Sequence, residues 1–135
     1  MLRGTIDGKN TTHDISVDWV LNRGYARMSE VSREKNAQGA PEYEAIVFFS
    51  WDQKASEYLC LWLDTTSNAG LQPGAVIGHG KPSGNGIPFL FRSPNGDTFH
   101  TTFTYVPASN SWQWTMDGES AGKMQPFARV TLTKK

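Results

Sequence analysis

Turn signals recur along this chain at short, nearly even intervals, and that spacing leaves room for little except strands. The signals are Asp7-Gly8, Asn22-Arg23-Gly24, Gln38-Gly39-Ala40-Pro41, Asp52-Gln53-Lys54, Ser67-Asn68-Ala69-Gly70, Pro82-Ser83-Gly84-Asn85-Gly86, Pro94-Asn95-Gly96-Asp97, Pro107-Ala108-Ser109-Asn110 and Asp117-Gly118. Gly and Asn accept positive φ and Pro presets a turn, so each signal has a physical cause. The segments between them run to roughly 5–11 residues, a strand length. Regular turns at this spacing point to a sandwich or a barrel.

Side-chain alternation says the same. Ile15, Val17, Trp19 and Leu21 share one face and Asp14, Ser16 and Asp18 the other. Phe99, Thr101, Phe103 and Tyr105 oppose His100, Thr102 and Thr104, and Trp112, Trp114 and Met116 oppose Ser111, Gln113 and Thr115. A period of two is the mark of a strand with one buried face. Segments 45–51 and 58–63 are apolar on both faces. Their outer row, either Val47, Phe49 and Trp51 or Ile46 and Phe48, would need cover, and a homodimer is the expected way to supply it.

Ten strands are predicted, over residues 2–7, 13–21, 25–34, 42–52, 56–64, 74–81, 87–92, 97–106, 110–116 and 122–133. The third is ambiguous in type, because Met28, Val31 and Lys35 also fit a helical face. Pro126 in the last fits only an edge, a bulge or a strand start. Closure removes exposed edges, so the expected fold is all-β, a ten-stranded antiparallel up-and-down barrel forming one domain over residues 1–135. A two-sheet sandwich is the alternative.

Composition narrows the partners. The 135 residues carry 13 basic and 13 acidic side chains. The longest basic run is Lys134-Lys135, so no nucleic-acid partner is expected. No apolar run approaches the ~20 residues of a membrane helix, so no membrane partner is expected. Met1-Leu2-Arg3-Gly4 opens into polar sequence without a signal peptide, and Cys60 is the single cysteine. Both point to a cytoplasmic protein without disulfides.

One stretch is distinctive. Residues 42–52 end in Trp51-Asp52, and after a turn Tyr58 begins a strand ending Trp62-Leu63-Asp64-Thr65. This resembles a lipocalin-like family of uncharacterised bacterial proteins, the domain of unknown function numbered 1579. There an aromatic-Asp strand end precedes a tyrosine strand closing on Trp-x-Asp-Ser, with Thr65 here in place of Ser. Gly78-x-Gly80 fits the same scheme, and the resemblance spans most of residues 2–133. It implies a lipocalin-like (calycin-type) barrel with a small-molecule cavity, and no catalytic residues. Such proteins usually begin with a short helix and a Gly-x-Trp strand. This chain starts near that strand without the Trp, which would leave one barrel end unplugged.

The barrel interior is thus the expected site, with a small hydrophobic or amphipathic ligand as the expected partner. The lumen candidates are Trp19, Met28, Glu30, Trp62, His79, His100, Trp112, Trp114 and Arg129. Trp side chains line cavities but also fill small barrel cores. Glu30 alternates with Ala26 and Met28; inside a barrel its carboxyl would be desolvated and fit for acid–base work, whereas on a polar strand it is solvated. His13, His79 and His100 lack metal-ligand spacing, so no metal and no cofactor is expected. A small barrel can hold haem on one lumen histidine, but no motif here specifies it. Arg129 would pair with a ligand carboxylate if its face is the lumen. Cys60 reads as a small buried hydrophobe, and Asp64 as a strand-end turn cap. Two other functions stay open: an enzyme using Glu30, His79 or His100 in the same cavity, and a filled barrel that binds proteins.

Overall fold

The computed structural model of the chain describes residues 1–66 and 76–134. Its strands are β1 (Leu2–Ile6), β2 (Lys9–Val20), β3 (Tyr25–Ser32), β4 (Glu44–Asp52), β5 (Glu57–Asp64), β6 (Gly78–Gly80), β7 (Gly86–Arg92), β8 (Thr98–Val106), β9 (Ser111–Ser120) and β10 (Lys123–Thr133). Each pairs antiparallel with its neighbours in chain order, and β1 closes the ring against β10. The fold is a closed ten-stranded antiparallel barrel. Among the described residues the only helical element is a 3-10 turn at Pro107–Ser109, and no helix is long and apolar enough to cross a membrane. The expected turn at residues 67–70 and the start of the sixth expected strand at residues 74–75 lie outside the described residues.

Two hairpins sit where local conformation, not hydrophobicity, decides. Asp7 and Gly8 have φ of 47° and 72°, which suits a two-residue hairpin, so β2 starts at Lys9 rather than at residue 13. The expected turn at Asp117-Gly118 is absent. β9 runs through it to Ser120, and the chain reverses at Ala121-Gly122, with φ of 50° and 73°. Residues 25–32 are a strand because both edges are paired, with β2 and with β4. Pro126 abuts a bulge, the register shifting between Pro126 and Ala128.

The inward row of β4 is Val47 and Phe49, not Ile46 and Phe48: Val47 is buried, Ile46 exposed. Phe49, Phe89 and Phe103 pack with centroids 5.7, 5.8 and 6.3 Å apart and fill the half of the barrel nearer the chain termini. Burying such rings contributes about 1.5–3 kcal/mol each. The glycines of β6 make room for rings on both sides of this cluster: a Cβ on Gly80 would lie 3.0 Å from Phe89 Cδ1, and a Cβ on Gly78 would lie 2.5 Å from the Phe91 ring, so only glycine lets that ring lie against the wall.

Candidate functional site

The other half of the barrel is hollow. A cavity of about 550 Å³ opens at the end where the β1–β2, β3–β4, β7–β8 and β9–β10 connections lie. Its floor is Trp114, wholly buried and stacked on Phe103 at 4.7 Å. Trp62 packs against Trp114 at 5.4 Å, and Phe91, Phe99, Met116 and Phe127 extend the apolar wall towards the mouth.

A polar cluster from β2 and β3 faces this wall. His13 follows the inward phase of Ile15, and Glu30 that of Met28, so alternation turns both into the lumen. His13 Nδ1 and Glu30 Oε1 are 2.5 Å apart, with 5% and 1% of the side chains exposed. His13 Nε2 is 2.8 Å from the Thr11 hydroxyl, which donates to Glu34 Oε2 at 3.0 Å.

This chain of contacts fixes where one proton sits. Burial would raise the Glu34 pKa, but the backbone amides of Glu34 and Thr12, the Thr11 hydroxyl and the charge of His13 outweigh it and hold Glu34 below the usual carboxylate range. An ionised carboxylate only accepts, so Thr11 gives its proton to Glu34 and His13 Nε2–H donates to Thr11. Glu30, His13 and Thr11 thus resemble a carboxylate–imidazole–hydroxyl triad in order only. An activated nucleophile would donate to the imidazole, and Thr11 does the reverse.

A second network adjoins the first. Trp62 Nε1 donates to the Tyr43 hydroxyl at 3.0 Å, which donates to Asp64 Oδ2 at 3.2 Å. Burial, then the charges of Glu30 and Asp64, push the Tyr43 phenol well above its ordinary value, so it stays neutral. Asp64 also caps the turn as expected, its Oδ1 accepting from the Thr66 amide and hydroxyl at 2.9 and 2.6 Å.

Three residues that line the cavity each hold a buried polar atom with no hydrogen-bond partner among the described residues: Glu30 Oε2, Thr101 Oγ1 and Trp114 Nε1. Buried orphans cost about 1–3 kcal/mol apiece. Their gathering around one cavity is the most specific feature of the site. Compared with protein-family models, curated proteins and solved structures, the chain matches none.

Of the residues singled out from the sequence, Glu30, Trp62 and Trp114 line the cavity. Met28 is buried in the core beside it. The other five are corrections. Trp19 has the inward phase but is 65% exposed, because β1 pairs with β2 only as far as His13 and β2 runs on beyond it. Trp112 shares the phase of Trp114 but lies at the far end of the barrel, exposed and packed on Tyr105. His79 and His100 point outward and pair with Glu57 and Glu119 at 2.7 and 3.0 Å. Arg129 also points outward, donating to Asp117 at 2.6 Å. The bulge at Phe127 breaks the alternation that placed Arg129 and Phe127 on one face: Phe127 lines the mouth while Ala128 and Val130 are inward.

His13, Thr11, Tyr43 and Thr101 were not singled out as lumen residues. For His13 the signal existed: it stands two residues before Ile15 in an alternating strand. Cys60 is buried, and burial pushes its thiol up to about 12, in keeping with a small hydrophobe.

Proposed function

We propose that this protein binds a small amphipathic molecule in the lumen of its barrel. The observation that carries the reading is the largely apolar cavity of about 550 Å³, three of whose lining residues hold unpartnered buried polar atoms. Ligand sites have that size and composition: a mostly apolar cleft with a few polar groups that set orientation. A filled barrel serving only as a protein-binding surface would have no use for such a cavity. The resemblance of residues 42–64 to the lipocalin-like family supports the same reading, since a barrel with a ligand cavity is what that resemblance implies. A cytoplasmic location fits the absence of paired cysteines.

The test is titration of the full chain with 1-aminoanthracene, an apolar dye that is neutral at pH 7 and brightens in apolar surroundings. Saturable binding of one dye per chain, with quenching of tryptophan emission and a raised melting temperature, is the expected result, because a ligand of the folded state stabilises it by mass action. A dye signal that grows without saturation and leaves the melting temperature unchanged would contradict the reading.

A second reading has its own observation. The Glu30–His13 pair leaves one carboxylate oxygen unpartnered on a residue that lines the cavity, and a general base needs such a free acceptor. In that case the bound molecule would be converted. Mass spectrometry of ligand recovered after incubation separates the two: unchanged mass supports carriage and altered mass supports catalysis.

A further inference from the structure

We propose that the lumen is built for an amphipathic organic cation, a protonated amine on an apolar body. The inference rests on the lumen-binding reading and adds the chemistry of the ligand's polar end.

Charge gives the first argument. Among the described residues, those lining the cavity include Asp7, Glu30, Glu34, Glu42 and Asp64 on the acidic side, and only Lys9 and His13 on the basic side. Both His13 nitrogens are already engaged, Nδ1 with Glu30 and Nε2 with Thr11. A ligand carboxylate would therefore find Lys9 alone, at the exposed mouth, and would meet Glu30 and Asp64 deeper in. An ammonium meets the opposite situation, since like charges repel and opposite charges attract most strongly where water is excluded.

Geometry gives the second. Glu30, a residue that lines the cavity, holds a buried acceptor, Oε2, without a partner on a side chain 1% exposed. A protonated amine has up to three N–H donors, and a charge-assisted bond to this carboxylate would satisfy the orphan. Trp62 and Trp114 line the same space, and indole rings attract a cation held near them.

The third argument concerns orientation. Around the ring of strands, β3 and β8 stand opposite one another, with β9 beside β8. Glu30 on β3 asks for a donor, and Trp114 Nε1 on β9 asks for an acceptor. The amine therefore lies against β3 and the apolar body crosses towards β8 and β9. An ether or hydroxyl oxygen on that far side would complete the fit.

The experiment is isothermal titration of the full chain at pH 7 with three probes sharing one tail: decylamine, decanol and decanoate. Decylamine should bind at least tenfold more tightly than decanol, and decanoate more weakly than either. Decanol or decanoate binding as tightly as decylamine overturns the assignment of the head group and leaves lumen binding standing. No binding by any of the three overturns both. In Glu30→Gln the preference for the amine over the alcohol should shrink to less than threefold, and a preference that survives intact overturns the role of Glu30. If that variant does not fold, the ranking on the native protein decides by itself.

Discussion

Glu30 Oε1 lies 2.5 Å from His13 Nδ1 in the barrel wall, while its second oxygen is buried with no hydrogen-bond partner among the described residues. One oxygen of the carboxylate thus serves structure, and the other is left unsatisfied. Removing either partner leaves the other buried and uncompensated, which costs about 3–5 kcal/mol. His13→Leu and Glu30→Leu should each lose about that much in urea unfolding, whereas the double variant should lose no more than either single one. Additive losses would mean that the pair is not coupled.

Alkaline conditions should weaken the fold through Tyr43 and Cys60. Both protons are held more tightly in the folded chain than in the unfolded one, by burial in each case and for Tyr43 also by the charges of Glu30 and Asp64. Their contribution is fully present below the unfolded values of about 8.5 for Cys and about 10 for Tyr, and falls as pH rises above them, because the unfolded chain then releases protons that the folded chain keeps. Each such proton lowers stability by about 1.4 kcal/mol per pH unit. Urea midpoints between pH 8 and 11 should therefore fall, and Tyr43→Phe should flatten the fall above pH 10. An unchanged slope in that variant would show that Tyr43 is not the group responsible.

Gly78 controls the size of the cavity through Phe91. A Cβ at position 78 would lie 2.5 Å from the Phe91 ring, which lines the lumen. Gly78→Ala should drive that ring inward, lowering stability by about 1–3 kcal/mol and weakening binding of 1-aminoanthracene at least fivefold. Gly96→Ala at a turn, where a Cβ would meet nothing within 4 Å but φ of 91° strains any side chain, should cost some stability and leave dye binding unchanged. Equal affinity in Gly78→Ala would show that the dye binds elsewhere.

The barrel was legible in the sequence because turns and alternation are local signals, and ten strands with short links have few ways to close. What alternation alone could not give was the position along the barrel at which an inward residue falls. Trp112 and Trp114 share a phase, yet one lies at the far mouth and the other is the cavity floor. Trp19 keeps the inward phase of His13 but lies where β2 has outrun β1. The bulge between Pro126 and Ala128 puts Phe127 at the mouth and leaves Arg129 outward, which settles a face that alternation left open. The His13–Glu30 contact was hidden for a related reason: the two residues stand 17 apart in the chain, and only the register of β2 against β3 brings them together.

The five tryptophans divide cleanly, and that division gives the most direct test of lumen binding. Trp62 and Trp114 line the cavity, whereas Trp19, Trp51 and Trp112 lie exposed outside it. A nitrogen–proton correlation spectrum resolves one indole signal from each, and single Trp→Phe variants assign them. On saturation with 1-aminoanthracene, the Trp62 and Trp114 signals should shift while the other three stay in place. Shifts confined to Trp19, Trp51 or Trp112, with Trp62 and Trp114 unmoved, would place the ligand on the outside of the barrel and contradict the account.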